Sequence, residues 1–162
     1  MRLLALVAAL TFAVDQALKW LVVQYLDLVN LHIIEVFPPF LELRMAWNTG
    51  INFGLLNVSR WVLIAVALAI VAWVLVWIRR EGGGRMAMVS AGLLVGGALG
   101  NVIDRLIYGA VADFLNMSCC GIENPYAFNV ADIAIFAGAI GLILFTGKAG
   151  GKPTPPKPRK TP

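Results

Sequence analysis

The feature that most constrains this chain is an unbroken run of eighteen apolar residues from Trp61 to Ile78. As an α-helix this run is roughly 27 Å long, which is close to the thickness of the hydrocarbon core of a lipid bilayer. The composition agrees, because 60% of the 162 residues are hydrophobic, only 14% are charged, and the mean hydropathy is +0.82. A water-soluble domain carries more charge than this. We therefore predict a membrane protein, with this run in its second span.

Three further segments are long and apolar enough to cross a membrane if a few polar residues are tolerated. Arg2 precedes the first of them, as in a cleaved signal peptide, but the helical pattern continues past Asp15, and Ala-Val-Asp-Gln-Ala is a poor cleavage site. The sequence thus predicts an all-α membrane bundle of four transmembrane helices in a single membrane domain, residues 1–147. The predicted helices cover residues 3–26, 60–79, 86–107 and 127–146.

Lysine and arginine cluster on one side of this topology. Short cytoplasmic segments of membrane proteins are enriched in both residue types, which places both termini in the cytoplasm. Nine of the thirteen basic residues fall on that side: Arg2, Arg79, Arg80, Arg85, Lys148, Lys152, Lys157, Arg159 and Lys160. The net charge of +4 then follows from topology and anionic lipid, and no nucleic-acid partner is expected. The proline- and lysine-rich tail, residues 148–162, is predicted to be disordered.

Two connecting segments, residues 27–58 and 108–126, are left on the non-cytoplasmic side. In the first, residues 31–37 and 40–47 alternate between apolar and polar side chains as strands do, and Pro38-Pro39 separates them. We predict that they form a small β-sheet on the membrane surface. Aromatic rings favour that location, and the segment supplies Phe37, Phe40, Trp47 and Phe53.

Cysteine and histidine add little to this picture. Cys119 and Cys120 are adjacent in sequence, and neighbouring cysteines rarely form an unstrained bridge, so no disulfide is expected. His32 is the single histidine, and an adjacent cysteine pair lacks the spacing of zinc ligands. The sequence therefore predicts no metal site.

Ionisable residues inside the apolar segments are more informative, because a charge at the bilayer centre costs roughly 2.5–3.5 kcal/mol. Asp15 and Lys19 are four residues apart and share one helical face. We interpret them as an ion pair that pins the first helix in the bundle, with a supporting role near a functional site as the alternative. In the third helix, Gly92, Gly96 and Gly100 form a smooth stripe that predicts close helix packing.

The end of the third helix carries a second polar group. Asn101, Asp104 and Arg105 are spaced at i, i+3 and i+4, so both charged groups can lie on the side of the asparagine. Asp104 and Arg105 could form a purely structural pair. Alternatively Arg105 binds a ligand, since guanidinium planes hold carbonyl and carboxylate groups through paired donors.

Two more acids lie at the same predicted boundary, Asp113 just after the third helix and Asp132 at the start of the fourth. An acid near a helix N-terminus commonly complements the helix dipole, but an acid in a membrane segment is by default a functional candidate. Two adjacent aspartates share a proton, so that one takes a proton from water while the other polarises a carbonyl, as in aspartic proteases. Spacing alone leaves open which two of Asp104, Asp113 and Asp132 form such a pair.

Two other classes of protein use the same kinds of residue. In a small proton-coupled transporter the acids would relay protons, but such proteins often contain internal repeats, and none is found here. In a structural protein the polar residues would only hold helices together. That class predicts no pair of acids that both water and lipid can reach.

Five short blocks, in the same order as in the family, resemble the signature blocks of bacterial lipoprotein signal peptidase, also called signal peptidase II. The blocks are Asp15-x-x-x-Lys19, Asn48-Thr-Gly50-x-x-Phe53, Gly100-Asn101-x-x-Asp104-Arg105, Val111-Ala-Asp113-Phe114 and Phe128-Asn129-x-Ala131-Asp132. Each block alone is a weak signal. Together they cover residues 15–132, which is most of the predicted membrane domain.

The resemblance implies an aspartic endopeptidase of the bacterial inner membrane that removes signal peptides from prolipoproteins, cutting before a diacylglyceryl-modified cysteine. It implies prolipoprotein and membrane lipid as partners, action as a monomer, no cofactor, and an active site on the periplasmic side beneath a surface sheet and a small helix. Asp113 and Asp132 match the catalytic pair of the family, which selects them from the three acids. Five residues match positions that line the site and hold substrate: Asn48, Gly50, Asn101, Arg105 and Asn129. Asp15, Lys19 and Asp104 match its supporting polar residues, whereas Asn52 departs from the small residue that many members carry.

Overall fold

The computed structural model describes residues 1–50, 59–119 and 124–146. Its helices are α1 (Arg2–Trp20), α2 (Leu28–Leu31), α3 (Arg60–Glu81), α4 (Arg85–Ile107) and α5 (Val130–Thr146), and a π-helical segment, Leu21–Tyr25, continues α1. Its strands are β1 (Ile33–Phe37), β2 (Leu41–Asn48) and β3 (Val111–Met117). The predictions made for Asn52, Phe53, Cys120 and the tail at residues 148–162 lie outside the described residues.

Three helical segments have the length and apolar composition that crossing a membrane requires. They are Arg2–Tyr25, Arg60–Glu81 and Arg85–Ile107. The last helix, α5, is also apolar but has 17 residues, three fewer than the roughly 20 that a span usually needs. Three of the four expected spans therefore correspond to helices that are long and apolar enough to cross a membrane. The fourth span stays a prediction.

The central helix of the bundle is α4, which packs against α1, α3 and α5. Small residues explain this position. A Cβ added to Gly96 would lie 2.5 Å from the carbonyl oxygen of Ala8 in α1, and one added to Gly97 would lie 2.5 Å from that of Ala131 in α5. Gly96 thus lets the backbone of α1 approach α4 closely, as the stripe predicted, and Gly97, which is outside that stripe, does the same for α5.

Helix α3 lies at the edge of the bundle. Its first turn is capped by Ser59, whose hydroxyl accepts a hydrogen bond from the backbone N–H of Trp61. Only one stripe of the helix is buried, and it consists of Ile64, Val71, Val74 and Ile78. The other faces of this helix remain apolar and exposed, which is the pattern of a helix that contacts lipid.

A three-stranded antiparallel sheet, in the order β1-β2-β3, accompanies the helices. The alternation at residues 31–37 and 40–47 correctly predicted β1 and β2, with Pro38-Pro39 between them. The third strand was not expected, because Val111–Phe114 is almost continuously apolar and shows no alternation. Pairing of Ala46 with Asp113 and of Asn48 with Val111 brings the end of β2 beside the start of β3.

The segment before α5 also differs from expectation. The predicted helix began at residue 127, whereas α5 begins at Val130. Phe128 instead forms an isolated antiparallel bridge with Leu115 of β3. This bridge brings the first turn of α5 next to the strand that carries Asp113.

Candidate active site

Asp113 lies in β3 and is only 3% exposed. Both of its carboxylate oxygens accept hydrogen bonds from asparagine side chains. The Nδ2 of Asn48, at the end of β2, is 3.1 Å from Oδ2, and the Nδ2 of Asn129 is 2.6 Å from Oδ1. Asn48 is itself held in place, because its Oδ1 accepts the backbone N–H of Gly50 at 3.0 Å.

Asp132 lies in the first turn of α5 and takes part in a reciprocal cap. Its backbone N–H donates to Oδ1 of Asn129 at 2.9 Å, and the backbone N–H of Asn129 donates to Oδ2 of Asp132 at 3.2 Å. This is a capping box, so the acid does stabilise the start of its helix. Its second oxygen, Oδ1, accepts a hydrogen bond of 2.9 Å from Nδ2 of Asn101 in α4. Helix capping therefore accounts for only one of its two carboxylate oxygens.

Two asparagines connect the two acids. Asn129 donates to Asp113 and caps α5 together with Asp132, while Asn101 donates to Asp132. The Nδ2 of Asn129 also lies 3.3 Å from Oδ1 of Asn101, so the side-chain amides contact each other. The structure thus brings Asn48, Asn101, Asp113, Asn129 and Asp132 into one hydrogen-bonded group.

The environment of Asp113 favours its protonated form. Burial raises the pKa of this carboxyl most, and the nearby charge of Asp132 raises it further. Hydrogen bonds from Asn48 and Asn129 act in the opposite direction, and the net result is a pKa of about 6. A carboxyl with this pKa can hold a proton close to neutral pH, next to a second carboxylate.

A buried ion cluster lies beneath this group. The Nζ of Lys19 is 2.8 Å from Oδ2 of Asp15 and 2.7 Å from Oδ2 of Asp104, and the two carboxylates are fully buried. Lys19 also donates to Oδ1 of Asn101 at 3.1 Å. The ion pair expected in the first helix is present, and a second acid and a site asparagine join it. Both interpretations of Asp15 and Lys19 are therefore compatible with the geometry.

The carboxylates of this cluster also bind backbone groups. Asp15 accepts the N–H of Ala131 in α5 at 2.9 Å, and Asp104 accepts that of Ala112 in β3 at 3.3 Å. The cluster thereby joins α1 and α4 to the two elements that carry Asp113 and Asp132. Asp104 pairs with Lys19 rather than with its neighbour Arg105.

Gln16 belongs to the same cluster and was missed in the sequence analysis. Its Nε2 donates to Oδ2 of Asp15 at 3.1 Å and to Oδ1 of Asp104 at 3.0 Å. The amide thus lies between two carboxylates that Lys19 alone neutralises only in part. Its position in the sequence could have identified it as part of this cluster, because Gln16 is a polar residue in a mostly apolar helix and directly follows Asp15.

A cavity of about 580 Å³ opens beside Asp113. Its lining includes Trp47, Asn48, Gly50, Arg105, Asp113 and Tyr126. The Nε of Arg105 is buried and has no hydrogen-bond partner among the described residues, and Nη1 donates only weakly, at 3.3 Å, to the carbonyl of Asn101. Asp132 is not among the residues that line the described part of this cavity, and it is linked to Asp113 through Asn129.

No cluster of potential metal ligands is found in the described part of the chain. Residues 1–50, 59–119 and 124–146 contain no group of three or more histidine, cysteine, aspartate or glutamate side chains placed to hold a metal ion.

Known proteins resemble this chain in sequence and in fold. A family model described as signal peptidase (SPase) II matches residues 7–147. A lipoprotein signal peptidase of Methylorubrum extorquens (strain PA1) is 47% identical over 146 residues, which cover 88% of this chain and 82% of that protein. One of Methylobacterium sp. (strain 4-46) is 41% identical over 143 residues, covering 86% and 85%. A solved structure described as a bacterial membrane enzyme superimposes with a TM-score of 0.76 at 27% identity, covering 86% of this chain and 88% of that one.

Proposed function

The chain belongs to the signal peptidase II family, whose members remove signal peptides from prolipoproteins, and we propose that it does so as an aspartic endopeptidase. The cut would fall before the diacylglyceryl-modified cysteine of the substrate. The observation that carries this proposal is the pairing of two carboxyl groups by asparagines, with the pKa of one of them, Asp113, raised to about 6. A carboxyl that keeps its proton close to neutral pH beside a second carboxylate is what hydrolysis by activated water requires.

The proposed reaction uses one shared proton. Asp113 carries it and donates a hydrogen bond to the scissile carbonyl oxygen, while ionised Asp132 takes a proton from water. The water oxygen bonds to the carbonyl carbon and gives a tetrahedral intermediate. Asp132 then donates the proton that it took from water to the amide nitrogen, the C–N bond breaks, and the products are a carboxylic acid and an amine. Water is the only co-reactant, so we expect no metal or organic cofactor.

The remaining site residues have supporting roles in this proposal. Asn48 and Gly50 form part of the cavity wall. Arg105, whose buried Nε has no hydrogen-bond partner among the described residues, is suited to bind a carbonyl group of the substrate. Asn101 and Asn129 orient the two acids. Asp15, Lys19 and Asp104 hold α1, α4, α5 and β3 in the arrangement that brings the acids together.

We further propose the topology that the sequence predicted. The single membrane domain, residues 1–147, would have four spans with α5 as the last, both termini in the cytoplasm, and the sheet on the periplasmic surface of the inner membrane. The distribution of lysine and arginine supports this orientation. Acyl chains also hold the substrate near the membrane surface, since each buried methylene contributes about 0.8 kcal/mol. We also propose action as a monomer, as the resemblance to the family implies.

The proposed function is tested by incubating the purified protein in detergent with a lipid-modified prolipoprotein. We expect a smaller product whose N-terminal residue, identified by mass spectrometry, is the modified cysteine. The same prolipoprotein without its lipid is the matched substrate control, and it should be cleaved far more slowly. Cleavage at another position, or none under any condition, would contradict the proposal.

The pH dependence of processing tests the shared proton. As the pH rises through about 6, the free enzyme loses the proton of Asp113, so kcat/KM should fall about tenfold per pH unit above that value. Bound substrate excludes water and disfavours the charged form, so the fall in kcat should come at a higher pH than the fall in kcat/KM.

The Asn48→Ala variant sharpens this test. Asn48 donates to Oδ2 of Asp113 and so lowers the pKa of that carboxyl. Its removal should raise that pKa and move the alkaline limb of the profile to higher pH. A uniform loss of activity with an unmoved limb would show that Asn48 does not act through the proton of Asp113.

A further inference from the structure

Asn116 is a fully buried amide that no step of the proposed reaction uses. It lies in β3, three residues after Asp113. Its Nδ2 donates to two backbone carbonyls in the segment that follows the strand, that of Asn124 at 2.7 Å and that of Tyr126 at 3.0 Å. Both N–H bonds of the side chain are therefore used to hold main chain that has no regular secondary structure.

Short side chains extend this contact. The hydroxyl of Ser118 donates to Oδ1 of Asn116 at 3.2 Å and accepts the backbone N–H of Asn124 at 3.1 Å. Oδ1 of Asn124 accepts the backbone N–H of Tyr126 at 3.0 Å. Asn116 is the buried member of this group, so the hydrogen bonds that it makes are the most protected from water.

The other end of the segment is held by the bridge to β3. Phe128 donates to the carbonyl of Leu115 at 2.9 Å, and Leu115 donates to that of Phe128 at 2.8 Å. Between Asn124, the first residue that Asn116 holds, and Phe128 at the bridge lie three residues, Pro125, Tyr126 and Ala127. All three line the cavity that Asp113 also lines. One wall of the cavity is thus an irregular segment fixed at both ends to the strand that carries Asp113.

We propose that Asn116 is a positioning residue that holds residues 124–128 as this wall and so sets how tightly the substrate binds. The inference rests on the proposed function, because it assigns the cavity to the prolipoprotein. Asn116 has no hydrogen bond to either proposed catalytic acid among the described residues. When the wall is released, only a fraction of molecules is competent to bind, and the apparent affinity falls by that fraction while the chemical step is unchanged.

The test compares Asn116→Asp with wild type in the full chain. Aspartate has nearly the same shape, but it replaces the two donors by an acceptor that faces two carbonyl oxygens. We expect the KM for a lipid-modified prolipoprotein to rise about tenfold, with kcat within about twofold of wild type. Hydrogen exchange at the amides of Asn124, Tyr126 and Ala127 should become faster, while exchange in α4 stays the same. Asn30→Asp is the matched control, since Asn30 is exposed and donates to Asp27, and it should change neither readout.

Hydrogen exchange keeps this proposal separate from the proposed function. If the wild type does not process the prolipoprotein, the proposed function fails, but the exchange rates still decide whether Asn116 holds the segment. Unchanged exchange in Asn116→Asp would overturn the proposal, and so would a fall in kcat without a rise in KM. Ser118→Ala is the second variant, for the case that Asn116→Asp fails to fold. It removes only the hydroxyl that Asn116 and Asn124 share, so the KM and the hydrogen-exchange rates should change in the same directions by smaller amounts.

Discussion

Replacing either Asp113 or Asp132 by asparagine is expected to slow processing of a lipid-modified prolipoprotein about a thousandfold or more. Asparagine keeps the shape of the side chain but can neither hold the shared proton nor accept one from water. Because the two acids act as a unit, the double variant should be little slower than either single variant. Product formation on a gel, followed over time with purified protein in detergent, measures all three rates.

Asp27→Asn is the matched control for this experiment. It makes the same chemical change at an exposed aspartate whose carboxylate accepts a hydrogen bond from Asn30. Its backbone has a positive φ of 52°, which asparagine adopts readily, so the control should fold and process at the wild-type rate. A rate above about a tenth of wild type in either Asp113→Asn or Asp132→Asn would remove that residue from the proposed chemistry.

Hydropathy predicted the long helices of this fold because a lipid bilayer imposes only a few requirements on a helix that crosses it. In a bilayer, a span must be apolar for about 20 residues and satisfy its own backbone hydrogen bonds, so length and composition suffice to find it. Helix α3 illustrates this, since its sequence carries no charge between Arg60 and Arg79. The strands β1 and β2 were found from the alternation of apolar and polar residues in their sequences, which matches the period of two in a β-strand.

The third strand and the partners of the polar residues could not be found in the same way. β3 is buried on both faces for most of its length, so the alternation that identifies a strand is lost. Asp15 contacts Lys19 within its helix, which spacing predicts, but its bond to the backbone of Ala131 spans more than a hundred residues. Such contacts depend on how helices pack, which no local pattern encodes.

Which of the three acids near the predicted boundary are linked also depends on how the helices pack. Asp104, Asp113 and Asp132 all lie near one predicted boundary, and spacing did not choose between them. In the structure Asp104 pairs with Lys19 and accepts a hydrogen bond from Gln16, so it belongs to the ion cluster. Asp113 and Asp132 instead accept hydrogen bonds from asparagine side chains, which carry no charge.

Removal of the lysine charge from the ion cluster, as in Lys19→Met, is expected to destabilise the protein by about 3–5 kcal/mol. Methionine fills a similar volume, but Asp15 and Asp104 are then left buried without a counter-charge. Oδ1 of Asn101 also loses the hydrogen bond from Lys19 and keeps the longer one from Asn129, so the variant should process substrate slowly even where it is folded. Unfolding in detergent, followed by tryptophan fluorescence, measures the loss of stability.

Arg44→Met tests whether the burial of an ion pair, rather than the distance between its charged groups, determines how much it stabilises the protein. Arg44 lies 2.7 Å from Glu42, as close as Lys19 lies to Asp104, but its side chain is 40% exposed whereas that of Lys19 is 4% exposed. Water and salt screen an exposed pair, so Arg44→Met should cost less than about 1 kcal/mol. Adding Asp104→Asn to Lys19→Met should recover part of the lost stability, because it removes one of the two unpaired charges. Equal losses in Lys19→Met and Arg44→Met, or no recovery in the double variant, would mean that packing rather than charge neutralisation holds α1 against α4.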